Sequence, residues 1–253
     1  MNLSVGIITY NEEKDLPRTL NAVKDIADEI VIVDNGSTDK TPEIAASFNA
    51  KLFTEKWKGY GEQKNSVIDK CHGKWILLID ADEEITPQLK KKIQEIISGD
   101  STKHKVYKIR FTTVCFGKRI RHGGWSNFYR VRLFNNGAGR YDHKQVHETF
   151  ITEESIGRIK EMILHYTYTN LEDYFDKFNA YTSKMAVQYF NKGKKKSIPG
   201  ICIGSIFRFF KMYILKLGFL DGYEGYLLSR ISSMYVLVKY SKLRELKNKD
   251  SGI

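Results

Sequence analysis

The sequence predicts an α/β fold, with a mixed, mainly parallel sheet flanked by helices and a C-terminal helical extension. Three observations predict it. Up to about residue 100, short apolar runs alternate with amphipathic stretches of about 10–14 residues, the pattern of β-α-β units. The run Trp75–Ile79 contains no polar residue and ends in four carboxylates within Asp80–Glu84. Such a run marks a strand buried on both faces. After Leu171 the strand signals stop and helical periodicity continues to about residue 245.

The elements follow in order. Residues 3–9 form a first apolar strand, and Leu16, Leu20 and Val23 recur at helical spacing behind it. Glu29–Val33 is a second strand, ending in Asp34-Asn35-Gly36-Ser37. Thr41-Pro42 reads as a cap and first helical position, because proline lacks only an N–H that a first turn leaves unused. Lys51–Phe53 is a short strand, 61–70 a helix and 74–79 the central strand. Thr86-Pro87 opens a helix with Leu89, Ile93, Ile96 and Ile97 on one face. Beyond residue 100 the alternation in 106–111 and 128–134 marks strands with one polar face, separated by a Gly- and Arg-rich loop. Arg158–Tyr166 is one more strand. Helices follow over 171–191, about 200–218 and 223–245, which divides the chain into domains 1–168 and 169–253.

With 253 residues and 42% hydrophobic content the chain can bury a sizeable core. A formal net charge of +11 attracts anions: phosphorylated substrates, an anionic membrane or nucleic acid. No RNA-binding aromatic signature is present, so nucleic acid is not an expected partner. The three cysteines, Cys71, Cys115 and Cys202, form no Cys-x-x-Cys unit, which fits a reducing compartment. The first residues start a strand with no basic and apolar leader, so a cytoplasmic location is expected.

In a parallel sheet the polar residues at successive strand ends share one edge, where open α/β sheets place ligands. Tyr10, Asn11 and Glu12 follow the first strand, Asp34 and Asn35 the second, and Asp80 and Asp82 the central one. Asp34 suits a base N–H or a ribose hydroxyl, while the Asn35-Gly36 pair suits a tight turn. Asp80 and Asp82, two apart, leave an extended strand on the same side. Two hard oxygen ligands suit Mg²⁺ or Mn²⁺ bridging a diphosphate. The competing reading is that Asp82, Glu83 and Glu84 only solvate a turn.

Thr9-Tyr10-Asn11-Glu12, Asp34–Thr41, Gln63-Lys64-Asn65 and Asp80-Ala81-Asp82-Glu83 together resemble the family 2 glycosyltransferases of the GT-A, Rossmann-like fold. Within them, Asp-Ala-Asp-Glu, Gly-Gly-Trp, Arg-Leu-Phe and Val-His-Glu are similar to the WaaE-type lipopolysaccharide core glucosyltransferases. The resemblance covers about residues 1–170. It implies inverting, metal-dependent transfer from a UDP-sugar, most specifically glucose, to a lipopolysaccharide core or related glycolipid. The implied donor site is Thr9, Tyr10, Asn11, Glu12, Asp34, Lys64, Asp80 and Ala81, with Arg132 foremost among the arginines that suit phosphate. The metal would fall to Asp82 and Asp80, with His165 as a third ligand or else a buried strand-end histidine. Glu148 stands where the superfamily carries its general base, with Asp142 as second choice. His147 is expected to orient a loop. Trp125 and Arg121 are candidates for the acceptor or sugar, with core packing the alternative for Trp125. Polyisoprenyl phosphate is an alternative acceptor. A non-catalytic basic module for membrane or nucleic acid, on a degenerate domain, is the reading from a different class.

Between 198 and 245 there are seven Lys or Arg and three acids, and Ile198–Leu220 is rich in Ile, Phe, Leu and Tyr. On an ideal helix Arg208, Lys211 and Lys216 fall within about 140° of the circumference, an interfacial pattern. It predicts peripheral binding to the anionic inner face of the cytoplasmic membrane, or else an amphipathic helix packed on its own core or in a homo-oligomer.

Overall fold

The computed structural model describes residues 1–99, 103–143 and 148–250. The chain forms two compact units, one of residues 1–111 and 128–165 and the other of 112–127 and 166–253.

The first unit carries the sheet. In chain order the elements as far as Tyr168 are β1 (Leu3–Thr9), α1 (Leu16–Val23), β2 (Glu29–Asp34), α2 (Thr41–Ser47), β3 (Lys51–Thr54), α3 (Tyr60–Lys70) and β4 (Trp75–Asp80). Then come β5 (Glu83–Ile85), α4 (Pro87–Ser98), β6 (Val106–Cys115), β7 (Lys118–Ile120), β8 (Phe128–Asn135), β9 (Arg140–Tyr141), β10 (Phe150–Ile151) and β11 (Ile156–Tyr168). The main sheet runs β3-β2-β1-β4-β8-β6-β11-β5. β1 pairs in parallel with both β2 and β4, and β4 pairs antiparallel with β8. The sheet is therefore mixed, with its parallel half built from the N-terminal β-α-β units.

Successive residues of the inner strands alternate between two cores. Trp75, Leu77 and Ile79 face one, with Leu16 and Leu20 of α1 and Leu89 and Ile93 of α4. Ile76 and Leu78 face the other, with Val67 and Ile68 of α3. That explains why β4 has no polar residue before Asp80: both of its faces are covered. Gly6 of β1 is required by closeness, since a Cβ there would stand 2.4 Å from Val67 Cγ1.

The two Thr-Pro helix starts differ in where the threonine stands. Thr86 is the N-cap of α4 and accepts from Leu89 N–H at 3.3 Å. At α2 the cap is Lys40 and Thr41 is already helical. The Thr41 hydroxyl instead accepts from Glu12 N–H at 2.8 Å, so the residue serves the loop after β1.

The second unit contains β7, paired with the end of β6, and helices α5 (Leu171–Asn191), α6 (Ile198–Phe210) and α7 (Gly222–Asp250). Between α6 and α7 lie a π-helical turn, Lys211–Leu215, and a 3₁₀ turn, Gly218–Asp221. The helix expected over about 200–218 is thus an α-helix only to Phe210, and Leu217 takes left-handed geometry with φ of 57°. An ideal helical wheel does not extend to Lys216.

Packing of α6 leaves most of its large apolar residues exposed. Its buried residue is Ser205, whose hydroxyl meets that of Ser233 on α7 at 2.8 Å and donates to Ser233 C=O at 2.9 Å. Outward stand Ile203, Ile206 and Phe207, of which Ile206 is 69% exposed. Where α7 begins, a Cβ on Gly225 would lie 1.9 Å from Gly218 C=O.

Candidate active site

The C-terminal ends of β1, β2 and β4 gather the polar loops. After β1, Asn11 takes φ of 54° and donates its N–H to Ser37 Oγ at 2.8 Å, while its side-chain oxygen accepts from Thr38 N–H at 2.9 Å. The loop after β1 is thereby stitched to the loop after β2. Asp34 is buried and uses both oxygens locally. Oδ1 accepts from Thr9 Oγ1 at 2.9 Å and from Ser37 Oγ at 2.5 Å; Oδ2 accepts from Gly36 and Ser37 N–H at 2.9 and 2.7 Å. Its observed work is to hold the turn. Tyr10 is exposed and Glu12 half-buried beside it.

The acidic stretch after β4 does not stay extended. Ala81 and Asp82 form a turn, so Asp80 and Asp82 face different partners and the same-side expectation for an extended strand does not apply. Asp80 Oδ2 accepts from Arg132 Nη2 at 2.6 Å, and its Oδ1 is 3.5 Å from Lys64 Nζ. Arg132 Nη2 also donates to Glu83 Oε1 at 2.5 Å, and Glu83 Oε2 accepts from Asp80 N–H at 3.0 Å. Lys64 reaches Glu148 Oε1 at 2.7 Å. Lys64 and Arg132 are 2% and 1% exposed, so each cation is compensated by two carboxylates within the fold. An unpaired buried charge would be costly.

Burial by itself would raise Asp80, but the charges of Arg132 and Lys64 outweigh it and hold the carboxyl far below its ordinary range. Glu83 moves the other way. Burial pushes it up and Asp80's charge adds to that, against the pull of Arg132. Lys64 would be lowered by burial but is raised on balance, chiefly by Asp80. The centre thus keeps Asp80 ionised between two fixed cations.

Asp82 pairs with His165, Oδ2 to Nε2 at 3.2 Å. The register of β11 against β5 sets His165 opposite Glu83, which explains how a histidine so distant in sequence arrives here. One ligand atom from each of Asp82, Glu83 and His165 lies within 4.8 Å of the others. Burial would lower His165, yet the Asp82 hydrogen bond and charge raise it on balance.

The remaining expected residues fall as follows. Asp142 is a turn residue of the β9–β10 hairpin: its N–H donates to Thr149 C=O at 2.9 Å and its Oδ1 accepts from Thr149 N–H at 3.0 Å. His147 lies outside the described residues. In the second unit, Arg121 N–H donates to Asp221 Oδ2 at 3.1 Å, while its residue is exposed. Trp125 is half-buried, edge-to-face with Tyr168 at 6.3 Å.

Three contributors escaped sequence reasoning. Thr19 of α1 donates to Ala81 C=O at 2.6 Å and Glu83 C=O at 2.8 Å, fixing the acidic turn. Tyr141 lies under the Lys64 ammonium, 5.4 Å from ring centre to Nζ. Glu83, which the competing reading left solvating a turn, is buried as the partner of Arg132.

A mixed α/β sheet with carboxylates and buried cations at its C-terminal edge fits the GT-A glycosyltransferase class that the sequence motifs imply. The family profile "Glycosyl transferase family 2" matches residues 4–160, and the chain belongs to that family. It is 30% identical to the uncharacterized glycosyltransferase RT0209 of Rickettsia typhi, over 99% of this chain and 89% of that protein. It is 27% identical to the lipopolysaccharide core biosynthesis glycosyltransferase LpsC of Rhizobium meliloti, over 95% of this chain and 91% of that one. Among solved structures it aligns with S. aureus TarS 1-349 in complex with UDP at 16% identity and a TM-score of 0.49, over 100% of this chain and 92% of that one.

Proposed function

We propose that the chain is an inverting, metal-dependent glycosyltransferase that moves a hexose from a UDP-sugar, most specifically glucose, to a lipopolysaccharide core or related glycolipid at the inner face of the cytoplasmic membrane. The observation that carries the reading is the placement of Glu148 against Lys64 and Asp80. A carboxylate suited to remove a proton is held by a buried lysine that also reaches the carboxylate at the end of the central strand. The name of LpsC supports the acceptor class.

Inverting transfer forms a bond from the acceptor oxygen to the anomeric carbon while the bond to the diphosphate breaks. Glu148 takes the acceptor hydroxyl proton. Lys64 and Arg132 hold Glu148, Asp80 and Glu83 in place through their ion pairs. Asp34, Thr9 and Asn11 keep the nucleotide-side loops in place through the bonds described above. The donor set of Asp82, Glu83 and His165 fits a divalent cation, with carboxylate oxygens and an imidazole nitrogen within 4.8 Å of one another. Bound there, Mg²⁺ or Mn²⁺ would act as the Lewis acid for the leaving diphosphate.

The membrane part of the reading is supported by α6. Ile198–Leu215 has the length and mean hydropathy, 1.5, of a candidate span. Arg208 and Lys211 within it suit an interfacial position better than the bilayer centre.

A thermal-shift screen of nucleotide-sugars, with and without Mn²⁺, tests the donor assignment. UDP-glucose should raise the melting temperature, and more with Mn²⁺. A larger shift with a different nucleotide, or none that depends on the ion, would overturn the donor or the metal respectively.

A further inference from the structure

We propose that the second unit holds a binding site for the phosphate headgroup of an anionic lipid, built around Trp125, Lys216, Arg208 and Lys211. This rests on the reading of α6 as membrane-facing and gives that face a specific ligand.

The site is a cavity of about 220 Å³ lined by Gly123, Gly124 and Trp125 of one loop and by Arg208, Lys211 and Lys216 at the end of α6 and its π turn. The two segments are joined by backbone: Gly123 N–H donates to Lys216 C=O at 2.9 Å. Gly124 has φ of 88°, and a Cβ there would lie 2.5 Å from Lys216 Nζ. The lysine side chain thus lies across the bare glycine, which confines its ammonium to the cavity.

Charge and hydrogen bonding both specify an anion. The lining has three cations and no carboxylate, and none of the three forms an ion pair among the described residues. Nearby acids are committed elsewhere. Asp221 accepts from Arg121 and His122 N–H, and Glu224 pairs with Lys118 at 2.7 Å. The Trp125 indole N–H is buried without an acceptor. An indole can only donate, so its missing partner must be an acceptor. A phosphate oxygen answers the indole N–H and the cations together. The lipid origin of the phosphate follows from its surroundings. Arg208 and Lys211 lie on the stretch whose Ile206, Phe207, Phe210 and Leu215 are exposed, so a headgroup held here leaves its chains beside apolar surface.

The test is binding of the full chain to phosphatidylcholine vesicles doped with phosphatidic acid, with tryptophan fluorescence as a second readout. Trp125→Phe keeps the ring and removes the donor; it should weaken binding about tenfold, the loss of one hydrogen bond to a charged group. Lys216→Gln should do the same. A double control, Lys192→Gln with Lys195→Gln, removes exposed charges outside the cavity and should leave binding nearly unchanged. If the control weakens binding as much as the site variants, diffuse attraction explains it and the site is refuted while the membrane reading stands. Short-chain, water-soluble phosphatidic acid and inorganic phosphate separate the sources. Inorganic phosphate binding as tightly as the soluble lipid would overturn a lipid site. Binding of the soluble lipid through Trp125 without vesicle binding would support the site and end the membrane reading. Binding of neither would end both.

Discussion

Lys64 and Glu148, 84 residues apart in sequence, form a 2.7 Å ion pair in which Lys64 is 2% and the Glu148 side chain 11% exposed. The same ammonium stands 3.5 Å from Asp80. One lysine thus links the proposed base to the end of the central strand.

The pair separates chemistry from folding. Glu148→Gln keeps the shape and loses the proton acceptor, so transfer should fall by about two to four orders of magnitude with UDP-sugar affinity nearly retained. Lys64→Met leaves two carboxylates short of a cation and should destabilise the fold by about 3 kcal/mol. Urea unfolding and single-turnover transfer of the two variants decide this. Parental transfer by the glutamine variant would remove Glu148 as the base.

The sheet was legible because β1, β2 and β4 obey one rule, uninterrupted apolar residues where both faces are covered. The short strands were not: β9 and β10 have two residues each, too few to show a period. At the site, strand ends placed Asp80 and Asp82 at one edge, whereas Lys64 and Glu148 were reached only through the family resemblance and Arg132 as a phosphate-binding candidate. The sequence did not show the turn at Ala81-Asp82, because that turn is set by a long-range donor, the Thr19 hydroxyl. Nor could the wheel foresee the break at Lys211–Leu215, since the apolar composition continues through it.

Asp82→Asn should abolish the effect of Mn²⁺ on UDP affinity and leave the unfolding midpoint unchanged. The side chain is 28% exposed and its neutral isostere adds no volume. Calorimetric titration of UDP with Mn²⁺ and after chelation measures it. Equal affinities under both conditions in the parent would remove the metal from the mechanism.

Glu29 makes acid stability predictable. Burial would raise its carboxyl, but hydrogen bonds from Ser4 Oγ, Lys51 Nζ and His72 N–H prevail and lower it to about 2. A carboxyl lowered in the folded state stabilises above its unfolded value of 4.5, and that contribution is lost as pH falls from there toward about 2. The full amount is about 3 kcal/mol. Urea unfolding at stepped pH should therefore show the parent losing stability through this window while Glu29→Gln stays flatter. Parallel curves would show that Glu29 does not govern acid unfolding.

Ile203 and Ile206 are 67% and 69% exposed, whereas Ser205 between them is buried against Ser233. In water this arrangement leaves large side chains unburied, and full burial of one such side chain contributes about 1.5–3 kcal/mol. If the bilayer boundary covers them, Ile203→Asp with Ile206→Asp should reduce partition into anionic vesicles by at least about tenfold, even at low salt. The substitutions point outward, so the Ser205–Ser233 contact and the unfolding midpoint should persist. Donor binding should also persist, because the residues proposed for it belong to the first unit. Vesicle flotation of parent and double variant, with UDP-glucose titration of each, reads both effects. An unchanged vesicle affinity together with a shift from dimer to monomer in sedimentation would reassign this face to contact between two copies of the chain.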